Sequence, residues 1–375
     1  MKNPFYIPSL IAIGFVTRYL LLPLIKQENS WLQAAAMFVV FVLGIYLILQ
    51  TASMIEKTTA VLKDRTGLAG GLLQSLGTAF PDMVIGVVSA ILSLQAVAAD
   101  PIRAINLAII AASTTFGSNI YNIFHASWCM WRQNLANSSD KKVLMFPKII
   151  QGGIVTPITH HKNKPPKKQI DDAIFILVLL SMLTTTVALG MVLFGKVSNV
   201  PVGITGDLYQ LTRPIGFIVL ALSIGVLFYF RKSHHETKEK ESNEYSSKKT
   251  IIIWLNLAIA AIVILLAAES LIEVVSHFSE IAHIPYVVSG VATGLIGCLG
   301  EMIVIHNFTV HASGRLADAV IGVAMDNIVT TTGAAFIAIL GGIFLGSEAL
   351  IIIFVLMLFA NTTLIQQISK LKNYL

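Results

Sequence analysis

Apolar residues run for about twenty positions at a time along most of this chain, and polar residues gather in a few short stretches between the runs. A helix needs about 20 apolar residues to cross ~30 Å of hydrocarbon, so each run reads as a membrane-spanning helix. Ten such helices are predicted, over 5–25, 33–55, 67–95, 101–128, 171–195, 214–230, 251–275, 284–309, 316–342 and 346–368. The fold expected is all-α, a polytopic transmembrane helix bundle. The first run reads as a retained helix rather than a cleaved signal, because Arg18, Tyr19 and the bulky 20–25 stretch offer no small-residue cleavage pattern. The 131–169 segment is too polar to span. Its middle, Val143 to Thr159, reads either as an amphipathic piece on the membrane surface or as a solvated loop that positions two helices.

Composition excludes an ordinary soluble enzyme. Of 375 residues, 55% are hydrophobic and 12% charged, where a soluble domain carries about 25% charged residues. Two cysteines, Cys129 and Cys298, supply no disulfide framework. The net charge of +6 invites a nucleic-acid reading, but the placement of the positive residues explains it otherwise. The longest polar stretch, Arg231 to Lys249, holds Arg231, Lys232, Lys238, Lys240, Lys248 and Lys249. Short loops rich in Lys and Arg stay cytoplasmic. With that loop inside, both termini fall inside, and the connecting segments carry 21 Lys and Arg inside against 4 outside. Four stretches follow: N-terminal helices with a first repeat (1–130), a cytoplasmic loop (131–170), linking helices and loop (171–250), and C-terminal helices with a second repeat (251–375).

An ionisable group in hydrocarbon costs at least ~2.5–3.5 kcal/mol at a helix centre, and two acids stand at such positions. Asp82 follows Gly77-Thr78-Ala79-Phe80-Pro81, and Glu301 follows Gly297-Cys298-Leu299-Gly300. A proline removes a backbone donor and frees carbonyls one turn earlier, and glycines loosen the equivalent place in the second segment. A break is therefore expected near Pro81 and near Gly300. Free carbonyls beside a carboxylate, in a cavity within the membrane, form an oxygen-only cation site. Residues 71–82 also align without gaps on 290–301, setting Gly71 on Gly290, Leu76 on Leu295 and Asp82 on Glu301. In the helices that follow, Asn119 matches Asn327 and Ile120 matches Ile328. The two pairs start on opposite sides of the membrane, giving two inverted repeats with ion sites near the midplane.

The stretches Gly77-Thr78-Ala79-Phe80-Pro81-Asp82 and Gly117-Ser118-Asn119-Ile120-Tyr121-Asn122 resemble signatures of the cation/calcium antiporter superfamily, which includes the sodium/calcium exchangers. Ala268-Glu269-Ser270-Leu271-Ile272-Glu273 is similar to the helix that precedes that family's second repeat. The resemblance spans roughly residues 33 to 368, with the N-terminal helix additional. It implies an antiporter in which calcium and sodium compete for overlapping oxygen sites. Asp82 and Glu301 would be the central carboxylates. Thr78 would supply an oxygen at the broken turn, and Ser118 and Asn122 would face the acids from the next helix. Asp326 falls where the family often has serine, and Thr330 where it often has aspartate or asparagine; the two share a helix face. Ala79 and Cys298 replace hydroxyl residues that commonly help hold sodium.

Other polar residues carry less. His306 and His311 read as interfacial or loop groups, Glu269 and Glu273 as mouth groups, and His160, His161, His234 and His235 as solvated. Gly117, Gly294, Gly297, Gly300 and Gly333 read as close helix packing. No P-loop, zinc-protease motif or nucleophile elbow occurs in the sequence. The expected activity is secondary antiport of Ca2+ or a related divalent cation against Na+. Protons are the alternative counter-ion, since Asp82, Glu301 and Asp326 can each take one. A transport-inactive scaffold or sensor is the reading from another class. No enzyme activity, cofactor or nucleic-acid partner is expected; the partners are small inorganic cations and the bilayer, the membrane being the plasma (inner) membrane.

The charge asymmetry makes one direct prediction. A reporter fused after Leu375 faces the cytoplasm; a reporter facing the other side overturns the orientation.

Overall fold

The computed structural model describes residues 6–27, 30–66, 79–146, 152–162, 164–201, 206–230, 244–311 and 314–375. Ten helical stretches follow one another in the expected order. The first, α1 (Tyr6–Phe15), passes into a π-helical turn (Val16–Leu21) and a 3-10 turn (Leu22–Lys26) that contains Pro23. Then come α2 (Ser30–Thr66), α3 (Phe80–Ala96), α4 (Pro101–Ser139), α5 (Lys167–Phe194) and α6 (Arg213–Phe230). The chain ends with α7 (Thr250–Ala282), α8 (Tyr286–Thr309), α9 (Leu316–Leu340) and α10 (Ser347–Leu371). Among the described residues, seven helices are long and apolar enough to cross a membrane, and Phe80–Ala96 and Arg213–Tyr229 are apolar but shorter. Large apolar side chains such as Phe38, Leu193, Ile351, Val355 and Phe359 lie on the outer surface, as lipid-facing positions of an integral membrane protein should.

Two large apolar cores divide the bundle, with a small third one around Ile25 and Val40. One joins α1, α2 and α7 through Leu10, Leu47, Ile264 and Leu271, and the other joins α4, α5, α9 and α10 through Phe116, Leu180, Ile328 and Phe354. Between them, α4 and α8 lie in backbone contact, because small residues leave no side chain in the way. A Cβ at Gly294 would come 2.5 Å from the Thr114 carbonyl oxygen and 2.8 Å from the Ser118 nitrogen. A Cβ at Gly290 would meet Ser113 Cβ at 2.6 Å, and one at Gly117 would meet Val291 Cα at 3.1 Å. In lipid, helices gain association energy from this kind of close packing rather than from apolar burial.

The structure departs from the sequence expectations at three places. First, α8 runs unbroken through Gly300. Glycine costs a helix about 1 kcal/mol but keeps its N–H, so it weakens the hydrogen-bond ladder without opening it. At Pro81 the residue stands in the first turn of α3, where its missing N–H costs nothing; the preceding residues 67–78 lie outside the described residues.

Second, α4 does not end near residue 128 but continues to Ser139. Its extension is polar yet buried, because its side chains receive the following segment. Arg132 Nε donates to the Leu144 carbonyl at 2.9 Å and Gln133 Nε2 to the Thr156 carbonyl at 2.8 Å. Asn137 Oδ1 accepts from the Ile158 amide at 2.9 Å. Third, that segment is not an amphipathic helix lying flat. It forms a small antiparallel hairpin, β1 (Val143–Leu144) with β2 (Ile154–Val155), whose Met145 and Val155 are fully buried. Its expected role as a positioning loop fits this better, although His161, expected to be solvated, is only 5% exposed. Its Nε2 bonds the Thr156 carbonyl at 3.1 Å, and burial lowers its pKa. His160 is exposed as expected; His234 and His235 lie outside the described residues. A second pairing, β3 (Leu208–Gln210) with β4 (Phe344–Gly346), ties the α5–α6 connection to the start of α10.

The glycine seam is testable. Gly294→Val places a side chain against backbone atoms that cannot yield, an overpacking cost of about 1–3 kcal/mol. It should lower the thermal transition in detergent by several degrees, whereas Gly322→Ala, with nothing within 4 Å of the new Cβ, should leave it unchanged or raise it.

Candidate functional site

The first turn of α3 holds Asp82, the middle of α4 holds Ser118 and Asn122, and the middle of α8 holds Glu301. The seam between α4 and α8 brings these groups to one place. Asn122 Nδ2 donates to Glu301 Oε2, joining the two repeats directly. Asp82 reaches the same seam from α3, its Oδ1 filling the space that a Cβ on Gly297 would take. Ser118 stands beside the Asp82 carboxylate, while its Oγ donates to the Thr115 carbonyl at 2.9 Å. Both acids are 1% exposed.

The pairing state of these acids sets them apart from the partly exposed acids of α7. Glu269 is bonded to Arg18, and Glu273 accepts from Arg103 Nη2 at 2.8 and 2.9 Å. These two acids, expected at a mouth, form ion pairs that tie α7 to the π-helical turn after α1 and to α4. Asp82 has no hydrogen-bond partner within normal distance for either oxygen, and Glu301 has none for Oε1. Asn122 Oδ1 beside Glu301 is likewise buried without a partner, as are Asn119 Nδ2 and Ser113 Oγ on α4 and Asn327 Oδ1 on α9. A buried polar group left unpaired costs about 1–3 kcal/mol, more for a charged one. Unpaired carboxylate and amide oxygens at the centre of a bundle are the kind of atoms that can ligate a hard cation.

On α9, Asp326 is 4% exposed and Thr330 1% exposed. Asp326 lies close enough to interact electrostatically with both Asp82 and Glu301. Thr330 Oγ1 donates to the backbone carbonyl of Asp326 at 3.0 Å, so its proton is spent within its own helix. Thr78 lies outside the described residues. Among the described residues, no group of three His, Cys, Asp or Glu side chains is gathered closely enough to hold a metal ion. Asp82 and Glu301 thus lie beside amide and hydroxyl groups rather than forming a dense carboxylate cage.

One role was missed in the sequence reading. Gly297, read as packing and as a loosening of its helix, also makes room for Asp82. Ser113 and Asn119 are further buried polar residues of α4; Asn119 was marked in the sequence through its match to Asn327. One turn beyond the site, the His125 and His306 rings stack with centroids 6.2 Å apart, and His306 bonds the Gly152 carbonyl of the hairpin segment. His306 is therefore part of the fastening between α8 and the hairpin, consistent with a loop-contact role.

No protein-family model matches the chain, and no curated protein sequence matches it. Solved structures do. A crystal structure of the H+/Ca2+ exchanger CAX superposes with a TM-score of 0.61 at 16% identity, covering 98% of this chain and 85% of that one. A structure of native YfkE superposes with a TM-score of 0.53 at 14% identity, covering 96% of this chain and 99% of that one. The sodium-calcium exchanger NCX_Mj gives 0.49 at 15% identity over 90% of this chain and 97% of that one. The helix order expected from the motif resemblance is thus found in the structure, and this chain has the fold of the H+/Ca2+ exchanger CAX.

Proposed function

We propose that this protein is a secondary antiporter that carries Ca2+, or a related divalent cation, across the membrane in exchange for a monovalent cation. The observation that carries the reading is the pair Asp82 and Glu301, buried together with three carboxylate oxygens unpartnered. A divalent cation leaving water loses solvation that only charged oxygen donors offset well. Two carboxylates balance its charge, and Asn122 and Ser118 add neutral oxygens. When the divalent ion departs, the same acids accept the counter-ion. Occupancy by one excludes the other, so transport couples if the bundle interconverts between its two open states only when loaded. Asp326 is the third acid of this reading, and Thr330 and Thr78 are its remaining hydroxyl donors. The hairpin end of the bundle, with its loops rich in Lys and Arg, faces the cytoplasm of the cell whose plasma membrane holds the protein.

Sodium is the counter-ion that the sequence motif implies. A second reading, with protons in its place, has two supports. Gly297, Cys298 and Ala79 leave the site poor in the hydroxyls that suit sodium, and the superposition on an H+/Ca2+ exchanger shares the fold over nearly the whole chain.

Uptake of 45Ca into proteoliposomes, driven in turn by a sodium gradient and by a proton gradient, tests both readings. Asp82→Asn and Glu301→Gln should each reduce uptake at least ~10-fold at matched expression, a loss of about 1.4 kcal/mol in the transport barrier or more. Gly297→Ala should weaken uptake as well, because the added Cβ displaces the Asp82 carboxylate. Asp326→Asn should alter the counter-ion dependence more than the calcium dependence. Near-normal uptake in both Asp82→Asn and Glu301→Gln overturns the mechanism.

A further inference from the structure

The hairpin end of the bundle carries a surface that the ion site does not use. Trp128 and Trp131 follow one another on the outer face of the α4 extension, ring centroids 4.9 Å apart, and are 36% and 42% exposed. Arg132 lies over the Trp131 ring at 5.3 Å and donates to the Leu144 carbonyl, which brings β1 against the same face. There Leu144 and its ladder partner Ile154 are 42% and 51% exposed. An apolar ridge of two indoles and two aliphatic side chains therefore stands out from the end of the molecule.

Positive charge surrounds it. Lys141 and Lys142 precede β1, and Lys162, Lys164, Lys167 and Lys168 follow the hairpin; all six side chains are exposed. Asp140 is the single acid between residues 131 and 169. Indoles prefer the headgroup level of a bilayer, and a cluster of four to eight Lys and Arg beside a membrane helix matches an anionic leaflet at about 1 kcal/mol per residue. Trp128 also fastens the hairpin, its Nε1 donating to the Met145 carbonyl at 3.2 Å and its ring stacking on Phe146, so Trp131 is the more exposed indole of the two. A second copy of this chain would bring the same lysines face to face.

We propose that this hairpin end is a docking surface for the anionic phospholipids of the protein's own membrane, with Trp131, Leu144 and Ile154 inserted at headgroup depth and the lysines on the phosphates. The surface holds α4 and, through the His306–Gly152 bond, α8 at a fixed depth.

The full chain in nanodiscs tests this, with Trp31 and Trp254 replaced by Phe so that Trp128 and Trp131 report. Brominated phosphatidylglycerol in a phosphatidylcholine disc should quench their fluorescence at least twofold more than the same fraction of brominated phosphatidylcholine. High salt should remove most of that preference, since 1 M salt shortens the screening length to about 3 Å. The triple variant Lys141→Gln, Lys142→Gln, Lys162→Gln should bring the quenching by the two lipids to nearly equal values with an unchanged thermal transition. Equal quenching by the two lipids, salt-independent quenching, or a variant that keeps its preference overturns the proposal. So does a two-protomer particle in which Trp131 is shielded from both lipids. Calcium transport is not part of the readout, so failure here leaves the antiport reading intact, and the reverse holds as well.

Discussion

The close approach of α4 and α8 is the constraint on which the rest of the structure depends. Gly290, Gly294 and Gly297 face Ser113, Thr114, Gly117 and Asp82 with no room for a further carbon. Only at that separation can Asn122 reach Glu301 and Asp82 enter the same seam. One methyl group at any of these glycines forces backbone apart or moves a carboxylate. Packing and chemistry are therefore the same contact, and the residues that hold the helices together also define what fits between them.

Charge within such a bundle is expensive, and the chain handles its acids in two ways. Glu269 and Glu273, partly exposed, are matched by Arg18 and Arg103, which neutralises them and fastens α7 to the π-helical turn after α1 and to α4. Asp82 and Glu301 are given hydroxyl and amide neighbours but no cation of the protein's own. Desolvation without a counter-charge is the feature on which the proposed cation site rests. Burial separates the pairs as well: the Glu269 and Glu273 side chains are 28% and 16% exposed, whereas Asp82 and Glu301 are 1% exposed.

The polar extension of α4 shows how composition misleads when a loop is docked rather than solvated. Arg132, Gln133, Asn134 and Asn137 look like a linker because their side chains compete for water. Here they serve the backbone groups of β1, β2 and the residues after them, and Asn134 bonds Gln367 on α10. A hairpin of two-residue strands has almost no stability of its own. These side chains supply the partners its backbone would otherwise seek from solvent, and they fix it at the end of the helix pair that bears the site.

Sequence alone determined the all-helical membrane bundle, because twenty-residue apolar runs in a chain with 12% charge have no other stable arrangement. It also marked Asp82 and Glu301, because an acid in hydrocarbon is costly wherever it lies, and it paired them through the internal match between residues 71–82 and 290–301. Tertiary structure alone decided which acids are paired and which are not: Glu269 and Arg18 stand 251 positions apart, and no local pattern joins them. It decided likewise that α8 passes straight through Gly300, because a glycine's effect on a helix is set by what packs against it. The seam that makes the site required two helices nearly two hundred residues apart to meet, and only their mutual packing settles which glycines face which backbone atoms.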